Sequence, residues 1–254
     1  RRSEHPFNLD YQEQQFMNKT QRFMNDILQP FTELDPEKRE KLFAYLNLVL
    51  ETNQSTNLTA ITSWEEAVVK HLYDSLIIIR LTAWSQWQKL LDLGSGAGLP
   101  AVPLAITFPQ QSYCLVEASR KKADFLHHVK EKLHLENIVI INDRAENLAR
   151  QNDFRDQYQM VTARAVAEIA VLLELTIPFC ATGGYILAYK GPNYQAEIDR
   201  AKQAQKILSA VLKQELSYRL PLEMGKRTLL LFQKTQPTPD KYPRRPGIPA
   251  KRPL

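Results

Sequence analysis

Apolar positions in the first eighty residues recur at helical spacing. Asp35-Pro36-Glu37 is a capping residue followed by proline at a first helical position. Leu42, Leu46, Val49 and Leu50 then form an apolar face that runs to Asn53. The polar run Gln54-Ser55-Thr56-Asn57 interrupts it, and a second helical stretch is predicted from Trp64 to about Leu81. From Lys89 the period changes. Short apolar runs at 89–93, 112–118, 137–141, 158–165 and 183–191 alternate with helical stretches, the first of these starting at Ser119 with Phe125, Leu126, Val129 and Leu133 on one face. A long polar helix is predicted over 194–213, followed by strands near 214–220 and 227–233. Strands alternating with helices predict a parallel α/β sheet covered on both faces. The last two strands are joined by a short glycine-containing loop and should pair antiparallel.

Composition narrows the class of protein. At 44% hydrophobic and 24% charged residues, the chain carries enough apolar surface for a buried core, which excludes dominant disorder. Cys114 and Cys180 are too few for a disulfide framework and have no C-x-x-C partner, so a reducing, cytoplasmic setting is expected. The opening residues lack the apolar core of a signal peptide. The most apolar segment, 170–189, contains Glu174, Pro178 and Gly183-Gly184 and reads as helix, turn and buried strand, so no membrane partner is expected.

The net charge of +5 is concentrated at the end of the chain. Residues 240–254 hold Lys241, Arg244, Arg245, Lys251 and Arg252 against the single acid Asp240, a local +4. Six of the fifteen prolines lie between Pro237 and the end. This composition predicts an extended basic arm meeting nucleic-acid phosphates, with Arg244, Arg245, Lys251 and Arg252 as the contacts. The alternative is a structural arm that packs back on the domain through Tyr242 and its prolines.

The sharpest chemical signal is Asp92-Leu93-Gly94-Ser95-Gly96-Ala97-Gly98-Leu99-Pro100. Here a predicted strand enters a glycine loop that opens a helix. Such a loop brings bare backbone and a helix N-terminus to a ligand; a tight turn without a ligand is the bland alternative. Leu99 occupies the position where a dinucleotide fingerprint requires Gly or Ala, which disfavours a nicotinamide-dependent oxidoreductase. The G-x-G-x-G spacing is similar to the first motif of S-adenosylmethionine-dependent methyltransferases. Glu117, at the end of the second strand, is placed to accept both ribose hydroxyls of an adenosine, or else is a solvated strand-end acid.

Several further segments occur in order: Asn57-Leu58-Thr59, His71-Leu72-Tyr73-Asp74-Ser75-Leu76, Arg144-Ala145-Glu146, Thr162-Ala163-Arg164-Ala165, Tyr189-Lys190-Gly191 and the tail YPRRPGIPAKRPL. With the glycine loop they resemble the bacterial small-subunit ribosomal RNA guanine-N7 methyltransferases, also called glucose-inhibited division protein B. The resemblance implies a Rossmann-like class I methyltransferase sheet, mostly parallel with the last strand antiparallel, carrying an N-terminal helical cap. It implies S-adenosylmethionine as cofactor and 16S ribosomal RNA or the small ribosomal subunit as substrate. Gly94 and Leu99, with Gly96 and Gly98 between them, then line the cofactor. Glu117, Ala118 and Ser119 hold the ribose, where the family more often has Asp, and Ala145 and Glu146 lie beside the adenine. Arg164 faces the cofactor, and Lys190 lies near the target pocket or is a structural lysine.

Arg164 is a cation like the sulfonium, so a methionine carboxylate or an RNA phosphate suits it better. Rival chemistries leave no mark: Cys114 lies inside a strand, Cys180 lies at a helix end, and no Asn/Asp-Pro-Pro-aromatic loop follows the fourth strand. His127, Glu131 and His134 share a helix face, but beside Lys130 and Lys132 they read as solvated, and no metal is expected. His71, Asp74 and Ser75 are expected to brace the helical cap against the sheet. The expected organisation is a helical extension over 1–82, a methyltransferase domain over 83–236 and a basic arm over 237–254, acting as a monomer. A methyltransferase with another acceptor and a non-catalytic RNA-binding or assembly protein remain as alternatives.

Overall fold

A computed structural model describes residues 11–165 and 167–254. The first ten residues of the expected helical extension lie outside them. The strands are β1 (Lys89–Leu93), β2 (Ser112–Val116), β3 (Ile138–Ile141), β4 (Tyr158–Arg164), β5 (Cys180–Lys190), β6 (Ala210–Arg219) and β7 (Lys226–Lys234). They form one sheet in the order β3-β2-β1-β4-β5-β7-β6. Strands β1 to β5 pair in parallel, and β7 runs antiparallel to both β5 and β6. This is the mostly parallel class I methyltransferase sheet that the resemblance implies.

The period-2 alternation of side chains divides the core between the two faces of the sheet. Leu90, Tyr113, Leu115 and Met160 pack into one apolar cluster, while Leu91, Leu93, Cys114, Val116 and Val161 pack into the other. The N-terminal helices α1 (Tyr11–Ile27) and α2 (Pro36–Asn53) belong to the first cluster through Met24, Leu28, Leu42, Leu46 and Val49. They share it with α6 (Ala101–Thr107) and α7 (Arg120–Leu133). Helix α2 starts as expected: Asp35 accepts the Lys38 backbone N–H at 2.9 Å, and Pro36 fills the first turn.

The predicted helical stretch over 64–81 is present and is built from consecutive short pieces. These are α3 (Trp64–Ala67), a π-helical segment (Val68–Tyr73), α4 (Asp74–Leu76) and α5 (Ile78–Leu81). On the opposite face lie α8 (Ala145–Leu148), α9 (Ile169–Thr176), α10 (Gln195–Arg200) and α11 (Lys202–Leu208). The predicted helix to 213 therefore ends five residues early. Ser209 turns left-handed at φ 52°, and 210–213 join β6, whose pairing with β7 overrides the helical preference of this Leu- and Lys-rich stretch.

The C-terminal segment corrects the expectation of an extended arm. It folds back on the second face, buries Tyr242 and ends in a short helix α12 (Ile248–Lys251). Among the described residues, no helix is long and apolar enough to cross a membrane.

Candidate active site

The chain leaves β1, β2, β3 and β4 at the same edge of the sheet, and the loops there form a two-part cleft. One part, of about 330 Å³, is lined by Leu93, Gly94, Glu117, Ala118, Ala145, Glu146 and Leu175, among others. The other, of about 250 Å³, is lined by Leu58, Thr59, His71, Gly94 to Ala97, Leu99, Lys122, Arg164 and Ala165. Gly94 belongs to both. An α/β sheet binds ligands in such a crevice beyond the carboxyl ends of its strands.

The glycine loop is tied down from two sides. Glu117 ties it to the start of α7: Oε2 accepts Gly96 N and Oε1 accepts Ser119 N, each at 2.8 Å. On the side of the helical cap, Tyr45 Oη donates to Ala97 O at 2.7 Å. Gly96 and Gly98 serve different purposes. A Cβ on Gly96 (φ +59°) would meet no protein atom closer than Gly94 O at 3.9 Å, so the loop there is bare toward the cleft. A Cβ on Gly98 (φ +95°) would sit 2.5 Å from Val102 Cγ2 and 3.0 Å from Leu126 Cδ2. Gly98 is therefore a packing position where α6 meets α7. Neither part of the cleft has Gly98 in its lining.

Beneath the loop, Asp92 is buried on β1. Its Oδ1 accepts from Thr162 Oγ1 at 2.6 Å, and its Oδ2 is buried without a partner. Burial pushes this carboxyl up to about 7, against the opposing hydrogen bonds from Thr162 and Ser95.

In the second part of the cleft, Arg164 is held by the cap. Its Nη2 donates to Lys70 O at 2.6 Å within the π-helical segment and lies 3.3 Å from Asp74 Oδ2. Asp74 also accepts from Tyr218 Oη, and Tyr189 Oη donates to Ser75 O at 3.3 Å. The expected brace of cap against sheet is thus present through Asp74 and Ser75, and a widened helical turn at a functional site is a recurrent device. His71 Nε2 and Thr59 Oγ1 are hydrogen-bonded at 3.0 Å. Burial, reinforced by the Arg164 cation, lowers the imidazole to about 4, so it is neutral near pH 7.

Other predicted residues lie at the margins. Lys190 Nζ donates to Ala167 O at 2.7 Å and to Glu197 Oε2 at 2.6 Å, which ties the end of β5 to the loop after Arg164. Ser119 contributes its backbone N–H. Arg244 is engaged by the buried Glu174, whereas Arg245, Lys251 and Arg252 are exposed. No group of three or more possible metal-ligating side chains occurs among the described residues. Nothing in the sequence pattern marks Tyr45 or Asp92 as a site residue. Tyr45 lies fifty-two positions from its partner, beyond any local pattern, and the burial of Asp92 depends on its place in the sheet.

Over residues 38–221 the chain matches the family described as rRNA small subunit methyltransferase G. It is 41% identical over 221 residues to the ribosomal RNA small subunit methyltransferase G of Carboxydothermus hydrogenoformans, covering 87% of this chain and 94% of that protein. To the protein of the same name from Pelotomaculum thermopropionicum it is 44% identical, covering 86% of this chain and 92% of the relative. Among solved structures, an O-methyltransferase from Bacillus cereus in complex with S-adenosylhomocysteine shares the fold. Its TM-score is 0.57 at 14% identity, over 85% of this chain and 98% of that one. Matched over most of its length in sequence, the chain belongs to the rRNA small subunit methyltransferase G family.

Proposed function

We propose that this protein transfers the methyl group of S-adenosylmethionine to N7 of a guanine in 16S ribosomal RNA. The observation that carries the reading is the two-part cleft joined at Gly94, with a carboxylate at the end of β2 in one half and an anchored arginine in the other. The residues suit the cofactor. Gly96 offers bare backbone, each Glu117 oxygen keeps a second acceptor direction for a ribose hydroxyl, and Ala145 and Glu146 supply a wall for the adenine. When bound, S-adenosylmethionine supplies an electrophilic methyl group on a sulfonium.

The remaining chemistry falls to this chain, and it is mainly alignment. Guanine N7 carries a free lone pair and no proton, so no strong general base is needed. A neutral His71 is consistent with this, because it adds no second cation beside Arg164. Held by Asp74 and Lys70 O, Arg164 presents a fixed charge for a carboxylate or a phosphate. Lys190 acts as a positioning residue by holding the loop after Arg164. The methyltransferase domain is 83–236, and the exposed Arg245, Lys251 and Arg252 meet RNA phosphates, with Arg244 reserved for Glu174.

The test is chemical. Methylation at N7 leaves a cationic imidazole ring that borohydride reduces, after which aniline cleaves the strand. Unmodified small-subunit RNA or assembled subunits, incubated with the protein and S-adenosylmethionine, should gain one such cleavage, and Arg164→Ala should remove it. Methyl incorporation without aniline cleavage rejects N7. No incorporation despite tight cofactor binding favours a non-catalytic RNA-binding role.

A further inference from the structure

The C-terminal segment reaches the wall of the cleft's adenosine half at two places. Gly247 N donates at 3.0 Å to Glu146 Oε1, and Glu146 lines that half. Arg244 clamps Glu174, with Nε on Oε1 at 2.8 Å and Nη2 on Oε2 at 2.6 Å, while its backbone N adds a bond at 2.9 Å. Glu174 is 0% exposed and immediately precedes Leu175, which lines the same half of the cleft. The segment is itself held from the domain. Arg155 donates to the carbonyls of Thr238, Pro239 and Tyr242, and Arg150 donates to that of Pro243.

A two-pronged guanidinium on a fully buried carboxylate is a fixed joint, unlike a solvent-screened surface pair. Through it and through Gly247, one segment fastens α8 and α9, two elements of the adenine wall. We infer that the C-terminal arm is a brace for the adenine wall of the cofactor cleft, with Arg244 and Gly247 as positioning residues, and that cofactor binding and docking of the arm reinforce each other. Linkage makes the effect reciprocal. The exposed Arg245, Lys251 and Arg252 lie on the same segment, so RNA captured there bears directly on the brace. This inference rests on the proposed placement of adenosine between Glu117 and Glu146.

The experiment is titration calorimetry of the full chain with S-adenosylhomocysteine, well below the unfolding temperature, for wild type, Arg244→Gln and Glu117→Ala. Hydrogen exchange across 244–252 is followed with and without that ligand. Arg244→Gln should weaken binding by at least about fivefold, and saturating ligand should slow exchange of the wild-type arm. A merely structural arm would lower the unfolding temperature of Arg244→Gln and leave both readouts unmoved. If Arg244→Gln does not fold, the paired replacement Glu174→Leu with Arg244→Leu removes the brace without stranding a buried charge and should show the same loss. Unchanged affinity in folded variants, together with an unprotected arm, overturns the inference. If Glu117→Ala loses binding while Arg244→Gln keeps it, the adenosine placement stands and the brace falls. If Glu117→Ala binds like wild type, the placement fails and the brace with it.

Discussion

The helical cap and the C-terminal arm both reach the cleft from outside the sheet, on opposite faces and by different physics. The cap enters the core: Met24, Phe31, Leu42, Tyr45 and Leu46 are fully buried in the same cluster as α6 and α7. Its polar contacts, Tyr45 to the glycine loop and Asp74 to Arg164, are set on that apolar base. The arm buries little besides Thr238, Tyr242, Pro243 and Pro249 and is held mainly by side chains donating to its carbonyls. Hydrophobic burial is non-directional and hard to undo locally, whereas a few directional hydrogen bonds can release as a unit. The difference is an apolar wall on one side of the cleft and a hydrogen-bonded, charge-clamped one on the other.

The strongest way to break this comparison is to remove Asp74. Asp74→Ala strands Arg164 and Tyr218 without their carboxylate, and should cost about 3–5 kcal/mol of stability. Chemical denaturation reads that cost, and methyl transfer should be lost at temperatures where the variant is still folded. A loss below about 1 kcal/mol would make the cap's polar contacts as dispensable as surface pairs.

A smaller effect is expected for the arm. Replacing both Glu174 and Arg244 by Leu removes a buried ion pair together with its desolvation cost, and such swaps are often near neutral. Denaturation should show a change under about 2 kcal/mol, in contrast to the single Asp74 replacement. A larger loss would place the arm in the same class as the cap.

The smallest effect is a pH slope. Folding favours protonated Asp92, raised from 3.8 to about 7, so its stabilising contribution is complete below about pH 4 and is lost as pH rises through 7. His71 acts oppositely: lowered from 6.5 to about 4, it contributes above pH 6.5 and loses that contribution as pH falls through 4. Between these limits the two offset each other. Asp92→Asn leaves His71 alone, so its unfolding temperature should fall more steeply on acidification from pH 6.5 to 4 than that of wild type. Parallel curves for the two proteins would show that burial of Asp92 does not perturb its titration.

Much of the fold is legible in local pattern, because a parallel strand buried on both faces must be a short apolar run. KLLDL and the strands after it stand out from their helices for that reason. The helix predicted through 213 fails where β7 offers a pairing edge that no window of sequence contains. The helix predicted over 64–81 forms, but its widened turn, where Arg164 takes a carbonyl more than ninety positions away at Lys70, is set by tertiary contact.

The site divides in the same way. Glycine spacing, the strand-end Glu117 and the basic tail follow from residue type and order, because turns and charges are local properties. Tertiary structure alone decided which glycine faces the cleft and which packs against Val102, and that Asp92 is buried with an unpartnered oxygen. It also decided that Arg244 is taken by Glu174 while its basic neighbours stay exposed. Each of those outcomes depends on the distance between groups far apart in the chain, which the packing of two sheet faces sets and composition does not.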